Sequence, residues 1–267
     1  MITKILKRGI VDQEVIMLQT ILKAKGFFNF DFIQNFGPKT ENAVKLFQSN
    51  LGLEPNGIVE GSTLEALNTN LSGKQKTINI QSMMNNVKTL GYIWYTDRPN
   101  IIGIRTEIDV PNIFNDFMFI EYGGEYKIYT ITTNPGSYWL EHPENKLGTA
   151  VLKPGQYVDS HSIGFHQGKP DHRCLRQTGT LTVYRDNNHD LLSDEKGYED
   201  KGTGFGVNIH GAKKVGETIN ISQFSAGCQV FNDWKHKEEF MDICDKYKTV
   251  TNNKFTYTLI KEKQIVW

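Results

Sequence analysis

No stretch of the 267-residue sequence approaches the ~18 consecutive apolar residues of a membrane-spanning helix. The first 22 residues also lack the roughly 7–15-residue apolar run of a secretory leader, because Lys4, Lys7, Arg8, Asp12 and Glu14 interrupt them. Cysteine is scarce. Cys174, Cys228 and Cys244 are an odd, scattered set with no CxxC pair, which argues against a disulfide scaffold and against a zinc ribbon. An excess of one charge is missing too: 30 Lys and Arg balance 30 Asp and Glu, so there is no long-range pull toward nucleic acid or an anionic membrane. The basic residues are dispersed, which gives no footprint for nucleic acid.

What is present is a globular composition, 38% hydrophobic and 22% charged, of a length that favours two domains. The first 70 residues have helical periodicity. Asp12 is placed to cap a helix carrying Val15, Leu18, Ile21 and Leu22, with Gly26 as its stop. Pro38 opens a second helix with Ala43, Val44, Phe47 and Leu51 as its stripe, and Gly52 ends it. Ser62-Thr63-Leu64-Glu65 fits a capping box for a third. A weak internal echo links Gly37-Pro38-Lys39-Thr40 with Glu60-Gly61-Ser62-Thr63. Polar residues 71–77 read as a linker. A helix over Ile80 to Leu90 follows, and then short strands broken by Gly, Pro, Asn and Asp: 117–122, 126–132, 180–185, 205–210 and 255–260. Asp233 is placed to cap a last helix with Phe240, Ile243, Cys244 and Tyr247 on one face. The fold expected is α+β in two domains, residues 1–70 helical and 78–267 β-rich.

The opening segment resembles the small three-helix peptidoglycan-binding domain. The positions that carry the likeness are Val15, Leu18, Gln19, Gly26, Phe27, Phe36, Gly37, Thr40, Ala43, Val44, Phe47, Gln48, Gly52, Leu53, Gly57, Ile58, Val59 and Thr63. It departs at Gln34-Asn35, where the family has Asp-Gly. The resemblance implies a module that holds the chain on murein and raises the local substrate concentration. The apolar positions serve a helical core; Gln19 and Gln48, less easily explained by packing, are the candidate wall-binding residues.

Chemistry concentrates at Gly206-Val207-Asn208-Ile209-His210-Gly211 and, fourteen residues after His210, at Ser225-Ala226-Gly227-Cys228. Alternation along a strand puts Asn208 and His210 on one face. A Cys after a small-residue turn suits a nucleophile, and Gly227 permits tight geometry in which N–H groups converge on an oxyanion. A free thiol is mostly protonated at pH 7, so a Cys228–His210 ion pair is expected to activate it, and His210 then protonates the leaving amine.

This order and spacing resemble the L,D-transpeptidase catalytic domain, whose signature is His, 14–17 residues, then Ser/Thr-x-Gly-Cys. Residues 148–157 (GTAVLKPGQY) loosely match the family's Thr-Pro-x-Gly-x-Tyr/Phe strand. Ala226 replaces the usual His, and Val230 stands where the family has Arg. Arg105, Arg173, Arg176 or Arg185 is left to supply that charge. The resemblance implies a β-rich domain acting on stem peptides through an acyl-enzyme, as transpeptidase, L,D-carboxypeptidase or endopeptidase, with Cys228, His210, Gly227 and Ser225 as catalytic residues. Asn208, Gly211, Arg105, His166, Arg173, Gln177 and Arg185 are the candidate substrate-binding residues. No cofactor and no metal is expected.

Two other readings stay open. His161, His166, His172 and Cys174 form a metal-capable stretch, the basis for a zinc-dependent murein peptidase, although no HExxH or HxH accompanies it. Alternatively Cys228 is a buried inert thiol in a non-catalytic wall-binding protein. Cys244, on an apolar helix face, reads as core, and Cys174 has no assigned place. Arg185–Asp190 lacks the spaced Gly and distal Glu of a calcium loop, and Gly202, Gly204 and Gly206 do not follow a strand as a nucleotide-binding turn does. The partner expected is peptidoglycan, with no nucleic acid and no membrane. Without a leader, action at the wall or periplasm implies a non-Sec route, by phage holin or by a secretion system with an immunity partner. A lytic phage-type protein or secreted effector is the expectation.

Overall fold

In the computed structural model, Gly206 has φ +69°, a left-handed conformation that interrupts an extended chain. For that reason the strand expected over 205–210 is regular only at Ile209–Gly211. The structure describes residues 2–24, 27, 28, 30, 32–69, 78–106, 112–189, 192–218 and 220–266. The expected linker 71–77 and the Gly26 stop lie outside these. The chain divides into two compact units, Met1–Thr77 and Ile78–Trp267.

In the first unit, α1 (Gln13–Ala24), α2 (Pro38–Asn50) and α3 (Gly61–Thr69) surround one core of Val15, Leu18, Leu22, Phe36, Val44, Phe47 and Val59. Asp12 caps α1, its carboxylate accepting from the N–H of Glu14 at 2.9 Å. Two expectations need correction. Leu51 is the C-cap of α2 and is 41% exposed, so it is no part of the buried stripe. Helix α3 begins at Gly61, with Glu60 O accepting from Thr63 and Leu64, so Ser62 lies inside the first turn and is not the cap.

Gln19 and Gln48 are corrected as well. Gln19 is fully buried; it donates to Thr40 Oγ1 at 2.8 Å and accepts from the N–H of Ile33 at 2.8 Å. Gln48 is 1% exposed; its Nε2 reaches Asn56 Oδ1, Ile58 O and Thr63 Oγ1, and its Oε1 accepts from the N–H of Gly57. Both amides replace water for loop backbone that the helices cannot pair. They brace the unit from inside and present nothing to a wall ligand.

The second unit is a closed barrel and a smaller sheet. Its strands are β1 (Asn100–Arg105), β2 (Asp116–Tyr122), β3 (Glu125–Thr132), β4 (Thr149–Leu152), β5 (Gly155–Phe165), β6 (Arg173–Gln177), β7 (Leu181–Asp186), β8 (Glu199–Gly202), β9 (Ile209–Gly211), β10 (Gln229–Phe231) and β11 (Phe255–Lys261). The barrel runs β1-β11-β5-β6-β9-β10-β3-β2 and closes on itself, leaving no free edge; β4-β7-β8 form a separate sheet. The segment 148–157, expected as one strand, is therefore two strands in different sheets, parted at Lys153-Pro154. Ile101, Met118, Ile120, Leu175, Ile209, Phe231, Tyr257 and Leu259 belong to the main core.

Three α-helices complete the unit among the described residues. Helix α4 (Ile80–Thr89) starts with a reciprocal capping box between Asn79 and Ser82, and its Met83 and Val87 join Ile102, Phe119 and Ile260. A short α5 (Ser137–Glu141) precedes β4. Helix α6 (Trp234–Tyr247) is capped by Asp233, as the sequence predicts, and buries Phe240, Met241 and Cys244 in the main core.

Candidate active site

Two short neighbouring strands position the chemistry-bearing residues. β9 and β10 pair in parallel, Ile209 with Gln229 and His210 with Val230. The turn before β10 depends on glycine: Gly227 has φ +118°, and a Cβ there would lie 2.3 Å from Ala150 O. Ser225 is fully buried and fastens this turn, donating to Cys228 O at 2.8 Å and accepting from the N–H of Gly227 at 3.2 Å. The Gly227 N–H expected at an oxyanion site is thus engaged by Ser225.

The Cys228 side chain lies against the segment that leads into His210. Sγ donates to Gly206 O at 3.3 Å and accepts from the N–H of Asn208 at 3.5 Å. Burial pushes the thiol up to about 11, and the Asn208 N–H offsets this only in part. His210 is 2% exposed. Its Nδ1 lies 2.9 Å from Gly211 O; a carbonyl only accepts, so Nδ1 carries the proton. Its Nε2 is buried and has no hydrogen-bond partner among the described residues. Burial, with His166, His172 and Lys237 nearby, holds this imidazole well below its usual range. The thiol's partners among the described residues are Gly206 and Asn208, not His210. Burial opposes the charged form of each group, and among the described residues no hydrogen bond joins Sγ to the imidazole, so the resting ion pair expected from the sequence is not formed in this structure.

His166 stacks on His210 with ring centres 3.9 Å apart, and Asn208 Nδ2 lies 3.5 Å from His166 Nδ1. Gly211 packs under Trp234 and Lys237, where a Cβ would meet the indole at 3.0 Å. A cleft of about 310 Å³ opens beside the turn, lined by Trp139, Glu144, Thr149, Arg185, Phe205 and Ala226 among others. Arg185 donates to Asp200 and to Gly148 O, with Phe205 across its guanidinium at 5.1 Å.

The other candidates for the displaced Arg lie elsewhere. Arg105 is 3% exposed and held by Thr133, Leu152 O and Glu195, so it is a buried brace. Arg173 is tied to Glu238, Asp242 and Asp245 of α6. Arg176 lies with its alkyl chain over Gly164. Gln177 braces the backbone of Gly179, Gly202 and Val207. Of the substrate-binding candidates, Arg185 alone lines the cleft; Asn208, Gly211 and His166 surround His210; Arg105, Arg173 and Gln177 are corrected to structural roles.

Cys174, unplaced by the sequence, is fully buried on β6 with its thiol pushed up to about 12. Cys174 and Cys228 are both free thiols. Cys244 is fully buried in the core, as expected. His161 is also fully buried, between Ser160 Oγ and Val207 O. Among the described residues no group of three or more His, Cys, Asp or Glu could hold a metal ion, so the stretch 161–174 does not assemble the zinc set that was one expectation. Sequence reasoning missed Trp139, Glu144 and Phe205 of the cleft, and Trp234 and Lys237 under Gly211; their spacing carries no motif.

Residues 11–67 match the profile of a family described as a putative peptidoglycan binding domain. No curated protein matches the sequence. Among solved structures, the SleB N-terminal domain is 32% identical over 25% of this chain and 90% of its own, with a TM-score of 0.24. An endolysin of Burkholderia AP3 phage is 26% identical over 33% of this chain and 34% of its own, TM-score 0.24. An L,D-transpeptidase (residues 123–326) from Xylanimonas cellulosilytica is 15% identical over 97% of this chain and 99% of its own, TM-score 0.27. Superpositions this loose carry no argument about chemistry.

Proposed function

We propose that this chain is a peptidoglycan-active cysteine enzyme that cleaves or exchanges stem-peptide bonds through an acyl-enzyme on Cys228, with residues 1–70 as its wall-binding domain. The family match of residues 11–67 supports the substrate. The observation that carries the chemistry is the thiol lying against the segment 206–208, which leads into a buried imidazole whose Nε2 lone pair is unsatisfied among the described residues.

A thiol near 11 beside an imidazole well below 6.5 does not ionise at rest. Proton transfer is therefore coupled to attack: His210 Nε2 takes the thiol proton as Sγ bonds to the peptide carbonyl carbon. The C–N bond then breaks as His210 returns that proton to the leaving amine. Water, or the amine of a second stem, then bonds to the thioester carbonyl carbon as His210 Nε2 takes its proton, and the C–S bond breaks with that proton returned to Sγ. The cleft beside Ala226 receives the stem peptide, and Arg185 lines it with its guanidinium ion-paired to Asp200.

Purified protein incubated with murein, with products read by mass spectrometry, tests this. Products that vanish in Cys228→Ala and in His210→Ala, with wall binding retained, are the expected result. A second reading, a non-catalytic wall-binding protein, has one observation in its favour: the raised thiol already has Gly206 O as acceptor. Identical products from parent and Cys228→Ala would establish that reading instead.

A further inference from the structure

The β5–β6 hairpin ends in a tight tip, residues 166–172, that lies against His210. The tip closes on itself: the N–H of His166 donates to His172 O at 2.9 Å, and the N–H of His172 donates to Lys169 O at 2.9 Å. Gln167 and Gly168 take left-handed φ of 51° and 71° to make the bend. An ion pair from Asp171 to Lys214 ties the tip to the loop after β9.

Each end of the tip brings a ring to His210. The His166 ring lies flat on it, centres 3.9 Å apart and planes at 22°. The His172 ring meets it edge-on at 5.4 Å and 74°. Behind His172 stands Trp234 at 4.8 Å, with the buried Lys237 ammonium over the indole at 3.5 Å. A polar chain fixes the state of His166. The backbone N–H of Gln177 donates to Asn208 Oδ1 at 2.9 Å, which turns the Asn208 amide nitrogen toward His166 Nδ1. That nitrogen can only donate, so the 3.5 Å contact favours Nδ1 as the acceptor, and burial with Lys169 nearby lowers the ring's pKa, both of which favour a neutral His166. The stack over His210 thus excludes water without adding a charge.

We infer that His166 and His172 are positioning residues that hold His210 as a neutral, Nδ1-protonated ring with Nε2 free to act as a base. The inference rests on the cysteine-enzyme reading and deepens it. Gly211 O orients the ring from one side. The two histidines clamp it from the others, so that the ring can neither flip away from Gly211 O nor gain a hydration shell that would favour the imidazolium. The charged and titratable groups around His210 act in the same sense or are remote from the stack. Lys169 of the tip and Lys237 of α6 oppose a further positive charge on the histidines. Asp171 and Glu238 are neutralised by Lys214 and by Lys237 with Arg173. Cys174 and Cys228 are protonated thiols.

Side-chain ¹⁵N NMR of His210, titrated in the full chain without substrate, tests the inference. In the parent, His210 keeps the Nδ1–H tautomer and stays neutral well below pH 6.5. In His166→Ala the tautomers mix and the midpoint rises by about one unit or more toward the ordinary value. His166→Phe, which keeps a flat ring but no titrating group, restores the parent behaviour; a merely structural role would not distinguish the midpoint in this way. Should His166→Ala unfold, His166→Gln, with similar bulk and no ring, reads the same difference. A parent-like titration in folded His166→Ala or His166→Gln overturns the inference, as does a folded His166→Phe that titrates like the Ala variant. The murein assay with Cys228→Ala tests the underlying enzyme reading separately, so the two failures are told apart.

Discussion

Cys228 is a protonated thiol with its own hydrogen-bond acceptor, and this sets its reactivity before any substrate arrives. With the thiol pushed up to about 11, the thiolate fraction grows about tenfold per pH unit through the neutral range. Alkylation by iodoacetamide, followed by mass spectrometry, is expected to be slow at pH 6 and to accelerate by about that factor per unit. A rate flat between pH 6 and 8 would reveal a resting ion pair and contradict the neutral arrangement. Cys228 should label before Cys174 and Cys244, which are fully buried. Gly227 is the second critical residue. In Gly227→Ala the new methyl meets Ala150 O at 2.3 Å in a backbone conformation that L-residues rarely adopt. Chemical denaturation is expected to show a loss of about 2 kcal/mol or more.

At the scale of elements, the strands and helices were legible where periodicity was strong and lost where a special backbone intervened. The stripes of α1, α4 and α6 are visible in the sequence because tertiary burial follows the same 3.6-residue period. The 205–210 strand was overread because Gly206 has no side chain to signal its turn. Gln48 shows the converse. A buried amide that serves loop backbone looks, in sequence, like a polar residue with a ligand. Gln48→Leu leaves the Gly57 N–H without its acceptor and should cost about 1–3 kcal/mol. Thermal unfolding of the full chain should show a lowered transition, with murein sedimentation unchanged well below it. Lost sedimentation with an unshifted transition would return Gln48 to the wall-binding surface.

For the molecule as a whole, buried histidines make stability depend on pH in a known direction. His161 is fully buried and its folded value is lowered to about 4 from 6.5. The unfolded chain therefore binds more protons between those values, and stability falls as pH drops through that window. The difference amounts to about 3 kcal/mol for this one residue, complete near pH 4 and absent above about pH 7. Urea denaturation between pH 7 and 4.5 should show the decline, and His161→Gln should make it shallower by this residue's share, the lowered His166, His172 and His210 carrying the rest. The division into two units makes a separate prediction. Removing residues 1–77 should abolish sedimentation with intact murein while leaving the products from soluble stem-peptide fragments, measured by mass spectrometry, within a few-fold of the parent, because tethering changes local concentration and not chemistry. Equal sedimentation of the shortened chain would place wall binding in the second unit.

The sequence by itself determined the helical stripes and the caps at Asp12 and Asp233, because each is a local pattern of side-chain type and spacing. It could also rank Cys244 as core from its place on a helix face. Only the tertiary structure decided what those side chains do to one another. Burial of both Cys228 and His210 removed the expected ion pair, and barrel closure set Arg105 and Gln177 to bracing the interior. The β5–β6 hairpin brought His166 and His172, more than thirty residues away in the chain, onto His210. Desolvation, hydrogen-bond saturation and ring stacking depend on neighbours in space, which a linear pattern of residues does not encode.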